Sequence, residues 1–567
     1  MQFLPAASRL PPTLAATKHA RLSQSPRIFK GSKYQRVGRS FPRLRFKPDT
    51  ETDVPTSDAE TTARTLSEGT WDRDEWFSAY EDAVESPSGY WMKIEGELPS
   101  TLRGTYFRNG PGRWNDGGED VLHPYDSEGL VASISIKNGR AFFRSRFVET
   151  KESQQEEAKG QKVYKGAFGT VPNAARKNFD VYVKNASNSA VFLWGPKLWT
   201  LYESGQPYLL DPYTLRTVGL DNLDGVFHEG LPFDLGLGRI ANSLTGALLQ
   251  VLKRDESFKA LVGGDAVCAH PRVDPKTNRL VIFSYRLKLS HNPSLISTEL
   301  TFYEFDQKFN LVNTLHHTFP GYAFVHDFGL TENYYVVIEA HLISRPSSDS
   351  ASKSKAQIIK MQPSFCFHHV NAYEEDSTVV LDSIHYPRFP DFHYMLQPGK
   401  GYKDIDADQQ PIGRLKRMVL DLEKREGTLT EKNFRAMEFP GINAGFEGSP
   451  YKYTYVSASL HPHKNQPGQA IAKVNVDSGA VEMWSAGTHY YVGEPEFVSN
   501  YQGIGAVSEV EDDGWILCMC YDSLAQRSEL VVLNARRVID GPVAVLPLEG
   551  KLPHGLHGCW SGKYFGP

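Results

Sequence analysis

The chain has 567 residues, of which 40% are apolar and 23% charged, with a formal net charge of −5. That is the balance of a folded globular protein, and no stretch reaches the roughly 18 to 20 uninterrupted apolar residues of a membrane-spanning helix. The charge is uneven: residues 1–48 hold eleven Lys and Arg and no acidic residue, leaving 51 basic against 67 acidic residues in the remainder. An acidic body argues against nucleic acid as a partner.

Taken in chain order, residues 1–48 are basic, acid-poor and rich in Ser, Ala and Pro (PAASRLPPTLAA, RLSQSPR). This is the composition of an organellar transit peptide. The plainer reading is a disordered tail with no address. There is no compact apolar core of the secretory kind, and composition alone does not separate plastid from mitochondrion. Residues 49–70 are polar and acidic and read as a disordered linker, so the folded domain is expected over 71–567.

RDEWFSAYEDAVE, 73–85, has helical spacing of Trp76, Tyr80 and Val84. Beyond about residue 95 short β-rich runs recur, among them RLVIFSYRL, ELTFYEF, STVVLDSIHY, YTYVSASL, WILCMCYD and SELVVLNAR, bounded by Gly, Pro, Asn and Asp. Short strands between turn signals mean an all-β sandwich, barrel or propeller, and a β region of some 450 residues suits a propeller. No sequence repeat of the usual propeller kind accompanies it. Two segments break the pattern. Residues 233–263 are apolar, helix-prone and amphipathic, and 344–357 (SRPSSDSASKSKAQ) reads as an exposed loop. Five cysteines with no CxxC pair make no disulfide framework and fit a reducing compartment.

The chain has no GxGxxG, phosphate loop, HExxH or GxSxG. Four of its eighteen histidines stand in distinctive company: His270 in VCAHPRVDP, His326 in FVHDFGLTENY, His368 in CFHHVNAYEED and His557 in LPHGLHGCW. Each lies at a strand end or in the turn beside it. A lone histidine in such a place is more often a packed core residue than a ligand.

These segments, in this order, together with GTYFRNGPGRW, HPYDSEGLV and FRSRFVETKE near the start of the domain, resemble the carotenoid cleavage oxygenase family along almost the whole chain beyond residue 90. The resemblance implies a seven-bladed β-propeller with a helical cap over a central metal site. It implies His270, His326, His368 and His557 as ligands of Fe(II), with the adjacent His369 and the nearby His554 left out. It also implies that Glu203 (TLYESGQP), Glu438 (MEFPGIN) and Glu494 (GEPEFVS) orient those ligands, Glu494 rather than its neighbour Glu496. Imidazole suits iron, zinc and copper. Four neutral ligands leave up to two of six octahedral positions open, as oxygen activation requires, whereas zinc has no redox chemistry.

The expected activity is therefore a non-haem Fe(II) dioxygenase that uses molecular oxygen to cleave a carbon–carbon double bond of a carotenoid or apocarotenoid. A stilbene-cleaving oxygenase of the same family is the first rival. That branch carries a Lys close to the first of the orienting glutamates, but here Tyr202 precedes Glu203 and no Lys is nearer than Lys197. The other rivals are a non-catalytic binding propeller that keeps its metal for structure, and an isomerase using the same iron without oxygen. Many relatives also carry a Thr where this chain has Ser189; Ser lacks the methyl that crowds one open metal position. A plastid address agrees with a carotenoid, and so does contact with one membrane face through residues 233–252, because the substrate is dissolved in lipid.

Overall fold

A computed structural model describes residues 71–116, 119–175, 182–203, 205–228, 233–234, 264–289, 296–338, 341–344, 356–359, 361–390, 401–501 and 510–567. The expected transit segment, the linker and nearly all of 233–263 lie outside the described residues. The fold is all-β and has a β-propeller arrangement. Its described strands form seven sheets of four to six strands and one two-stranded ribbon.

Most sheets are antiparallel meanders of consecutive strands, as short runs joined by tight turns dictate. One is built from Phe365–Glu375, Thr378–Tyr386, Arg414–Asp421 and Glu426–Glu431, paired in that order. Burial falls from the second strand outward. Thr378–Tyr386 is buried at all but its first residue, Arg414–Asp421 alternates, and Glu426–Glu431 is mostly exposed. The middle strand is covered on both faces: its apolar Val379, Val380, Leu381 and Ile384 are buried along with Asp382, Ser383 and His385, whose polar groups find partners in Arg417, His369 and Ser364, whereas an outer strand needs only one apolar face.

The sheet order also closes the ring. Gly558–Ser561, near the C terminus, pairs antiparallel with Gly104–Arg108, near the start of the domain. Two glycines bring the chain ends this close: a Cβ on Gly110 would lie 2.6 Å from the Gly555 Cα, so two motifs distant in sequence press backbone on backbone.

The expectation over 73–85 needs correction, and those at the cap and at 344–357 are described only in part. The helix expected over 73–85 is Arg73–Phe77 alone, N-capped by Asp72, and Val84 is 87% exposed; with no apolar face at its third turn to cover, the chain turns away. No helical cap is found among the described residues, whose other α-helix is the nine-residue Lys151–Lys159. Phe233–Asp234, at the head of the helix-prone segment, is a short strand parallel to Leu287–Lys288. At 344–357, the described ends are strands: His341–Ser344 pairs with Ala356–Ile358. All five cysteines are free, as their spacing implies.

Candidate metal centre

The seven residues singled out in the sequence meet. His270 sits in the turn between Ala266–Val267 and Arg272–Asp274, His326 precedes Gly329–Leu330, His368 lies on Phe365–Glu375 and His557 precedes Gly558–Ser561. One ligand nitrogen from each lies within 4.8 Å of all the others. His270 Nε2 is 2.9 Å from His326 Nε2, which is 3.3 Å from His368 Nε2.

Their outward nitrogens face carboxylates. His326 Nδ1 lies in close contact with the Glu203 carboxylate, His368 Nδ1 donates to Glu438 Oε2 at 2.5 Å, and His557 Nδ1 donates to Glu494 Oε1 at 2.8 Å. A carboxylate can only accept, so each contact places the ring proton on Nδ1 and turns the Nε2 lone pair inward. The strands carrying these groups are irregular at the site. Register shifts fall between Cys366 and Asn371, between Glu438 and Gly441, and between Val492 and Pro495. Such bulges re-aim side chains that a regular pleat would point elsewhere. Phe439 takes a left-handed φ of 53° and sends its N–H to Glu438 Oε2 at 2.7 Å.

Burial holds His270 well below the usual imidazole range, helped by the other three rings. At His326 burial again disfavours the charged ring, but the Glu203 carboxylate outweighs it and raises the group overall. Burial alone would raise Glu438; His368, the Tyr386 hydroxyl at 2.6 Å and the Phe439 N–H reverse that and lower it. A pocket of inward lone pairs backed by three carboxylates suits a divalent cation. Two nitrogens bound to one ion at about 2.1 Å and at right angles stand about 3 Å apart, which is the spacing seen here. The residues present fit a metal ion.

The neighbouring histidines stand apart. His369 Nδ1 is 2.6 Å from Ser383 Oγ, and burial pushes it down to about 4. His554 stacks on Trp76 at 3.5 Å, donates to its carbonyl and is pushed down to about 3. Glu496 accepts the Trp560 N–H and touches no ligand ring; burial and the charge of Glu494 raise it to about 8.

The cluster opens on a cavity of about 660 Å³ whose walls include Tyr125, Phe168, Tyr322, Phe324, Phe367 and Phe389, with Ser189 and Tyr202 beside the histidines. No Lys or Arg is among its described lining residues. Lys197 points away and pairs with Asp221 at 2.6 Å.

A sequence profile described as "Retinal pigment epithelial membrane protein" matches residues 81–562. The apocarotenoid-15,15'-oxygenase of Synechocystis is 31% identical over 536 residues, which is 87% of this chain and 98% of that one. The chain belongs to this family of carotenoid oxygenases. Membership makes it an oxidoreductase of the carotenoid cleavage dioxygenase type. The chloroplastic carotenoid cleavage dioxygenase 7 of Oryza sativa is 26% identical, over 88% of this chain and 92% of its own. The crystal structure of the cobalt-substituted Synechocystis apocarotenoid oxygenase matches with a TM-score of 0.73 at 30% identity, over 87% of this chain and all of that one.

Several residues that shape the site were not singled out in the sequence. Arg272 and Asp327 stood inside the quoted motifs, and their ion pair was legible there only as residue types. Asn109 of the RNGP segment donates through its backbone N–H to the His557 carbonyl at 3.1 Å. Tyr386 and Glu447 carried no local signal.

Proposed function

We propose that the chain is a non-haem Fe(II) dioxygenase that splits a carbon–carbon double bond of a carotenoid or apocarotenoid, one oxygen atom of O₂ ending in each of two carbonyl products. The observation that carries the reading is the four-histidine cluster opening directly on a largely apolar chamber of about 660 Å³. His270, His326, His368 and His557 would hold the ion, and Glu203, Glu438 and Glu494 would fix the tautomers of the last three. Bound Fe(II) supplies the redox chemistry that activates oxygen. The aromatic walls hold a polyene by apolar contact, exclude water and set which bond faces the metal. The volume lies inside the range of about 300–1,000 Å³ usual for such pockets.

The family includes enzymes of other substrates; the lignostilbene-alpha,beta-dioxygenase isozyme III of Sphingomonas paucimobilis is 24% identical. A cavity with no described cationic side chain, with Tyr202 before Glu203 and Lys197 engaged elsewhere, favours the polyene over a phenolic stilbene. Ser189 lines the chamber, and its carbonyl accepts the His557 N–H at 3.1 Å. Without a methyl at this position, crowding on that side of the ion is weaker than in relatives with Thr.

We read the seven larger sheets as the seven blades of one propeller, residues 71–567 as its domain, and 1–48 as a plastid address, in keeping with chloroplastic relatives. No described helix is long and apolar enough to cross a membrane. Contact with one membrane face agrees with Tyr322, Phe324 and Phe389, which line the chamber while 63%, 37% and 46% exposed.

The test is incubation of the purified, iron-loaded protein with several carotenoids, apocarotenoids and stilbenes under oxygen, with mass analysis of the products. Aldehydes from a polyene carrying one atom of labelled oxygen each support the reading. Turnover of stilbenes alone, or of nothing, overturns it.

A further inference from the structure

His270, His326 and His368 come from three separate places in the chain, yet one ion pair ties together the segments that carry all three. Arg272 lies two residues after His270, Asp327 directly after His326, and His369 directly after His368. Arg272 Nη2 donates to Asp327 Oδ2 at 2.8 Å and to the His369 carbonyl at 3.1 Å, while its Nη1 donates to Glu447 Oε1 at 2.7 Å. Asp327 Oδ2 also accepts the His369 N–H at 2.8 Å, and Oδ1 accepts the Phe328 N–H at 2.7 Å. The pair is buried, with side chains 12% and 2% exposed. Desolvation makes such a pair a poor source of stability, but its fixed, forked geometry makes it a good source of register.

We propose that the Arg272–Asp327 pair is a positioning device that sets His270, His326 and His368 at metal-binding spacing within the chain itself, with Glu447 bracing the guanidinium from its other side. Three hydrogen-bonded segments meeting at one guanidinium and one carboxylate leave each ligand one or two rotatable residues from a fixed point. The cost of ordering those segments is then met in folding and does not weaken metal binding.

The chain contains its own control. Arg417 and Asp382 form a forked pair at 2.8 Å for both contacts, with side chains 14% and 0% exposed; Asp382 also accepts from Tyr451, and Arg417 Nη1 donates to Asp477. None of these hydrogen bonds reaches a residue next to a ligand. A merely structural role for buried ion pairs predicts like behaviour for both.

This inference rests on the four histidines being a divalent metal site. The experiment uses the full chain, stripped with a chelator and titrated with Co(II), read by visible absorption and by thermal melting of the metal-free protein. Asp327→Asn and Arg272→Lys are expected to weaken Co(II) binding about tenfold or more, the scale of lost supporting contacts, and to shift the absorption bands. Asp382→Asn is expected to lower the melting temperature while keeping the parental affinity and bands. Glu447→Gln leaves the Arg272–Asp327 contact in place and, with Arg272→Lys, carries the test if Asp327→Asn does not fold; both should weaken binding. Parental affinity and spectrum in Asp327→Asn or Arg272→Lys, or an equal loss in Asp382→Asn, overturns the proposal. A parent chain that gives no cobalt bands overturns the metal site itself, and the positioning role with it.

Discussion

Glu494 holds both the ring of His557 and the backbone beside it: Oε1 is 2.8 Å from His557 Nδ1 and Oε2 is 2.8 Å from the Gly558 nitrogen. One carboxylate thereby fixes the tautomer, the ring plane and the chain direction at the point where the C-terminal strand enters the first sheet. Glu494→Gln keeps the size but replaces one acceptor with an amide donor. It should lower iron affinity or turnover roughly 10- to 100-fold, and Glu203→Gln and Glu438→Gln should behave alike. Unchanged iron content and rate in all three variants would remove the orienting role.

His368 and His369 are adjacent on one strand and face opposite ways. His368→Ala should abolish iron binding. His369→Ala should retain most of it but lose about 1–3 kcal/mol of stability, the usual cost of stranding a buried hydrogen-bond partner, here Ser383. Iron analysis alongside urea unfolding separates the two effects, and retention of iron by His368→Ala is the outcome that defeats the assignment.

The pair also shows what a sequence can and cannot disclose. The family motifs were enough to gather four histidines and three glutamates from across the chain, with His368 chosen over its neighbour His369. The bulges that turn Glu438 and Glu494 toward the ligands were not legible, because a bulge is set by cross-strand register rather than by local composition. Nor was the Arg272–Asp327–Glu447 cluster: its members are 55 and 120 residues apart, and only the ring of sheets brings them together. The helix expected over 73–85 failed for the opposite reason. Its spacing was locally convincing, but Val84 has no surface to pack against.

Acid should destabilise the protein above the range where carboxylates titrate. Burial pushes His123, His385 and His554 down to about 3. In the unfolded chain each takes up a proton near pH 6.5, while in the folded chain each stays neutral. The unfolded state therefore binds more protons between about pH 6.5 and 3, and stability falls as pH drops through that window. Each group contributes a slope of up to about 1.4 kcal/mol per pH unit. Urea midpoints at pH 7.5 and 5 check this. His385→Gln should flatten the dependence by about one proton, and equal midpoints at the two pH values would contradict the argument.

Deleting residues 1–48 should leave an active enzyme, since every proposed ligand, orienting glutamate and described chamber residue lies beyond residue 120. A fluorescent reporter fused to this segment should enter plastids. Cytosolic signal throughout the cell would leave the basic composition without an address.

Asn109 ties the opening motif to the closing one. Its side-chain amide donates to the Ser187 and Ala190 carbonyls at 2.9 and 3.0 Å, and its Oδ1 accepts the Gly110 N–H at 2.9 Å. Its backbone exchanges hydrogen bonds with the His557 carbonyl and the Leu556 N–H, at 3.1 and 2.9 Å. The residue is fully buried, so water cannot replace what is lost. Asn109→Ala strands two carbonyls and one N–H, at about 1–3 kcal/mol for each group left unpaired. Asn109→Asp strands the same carbonyls against a buried anion and should be worse. Both variants keep every proposed ligand and orienting glutamate, yet both should lose stability and bind iron more weakly, because the loop carrying His557 loses its anchor. A variant that melts lower but holds iron as the parent does would show that Asn109 serves ring closure alone.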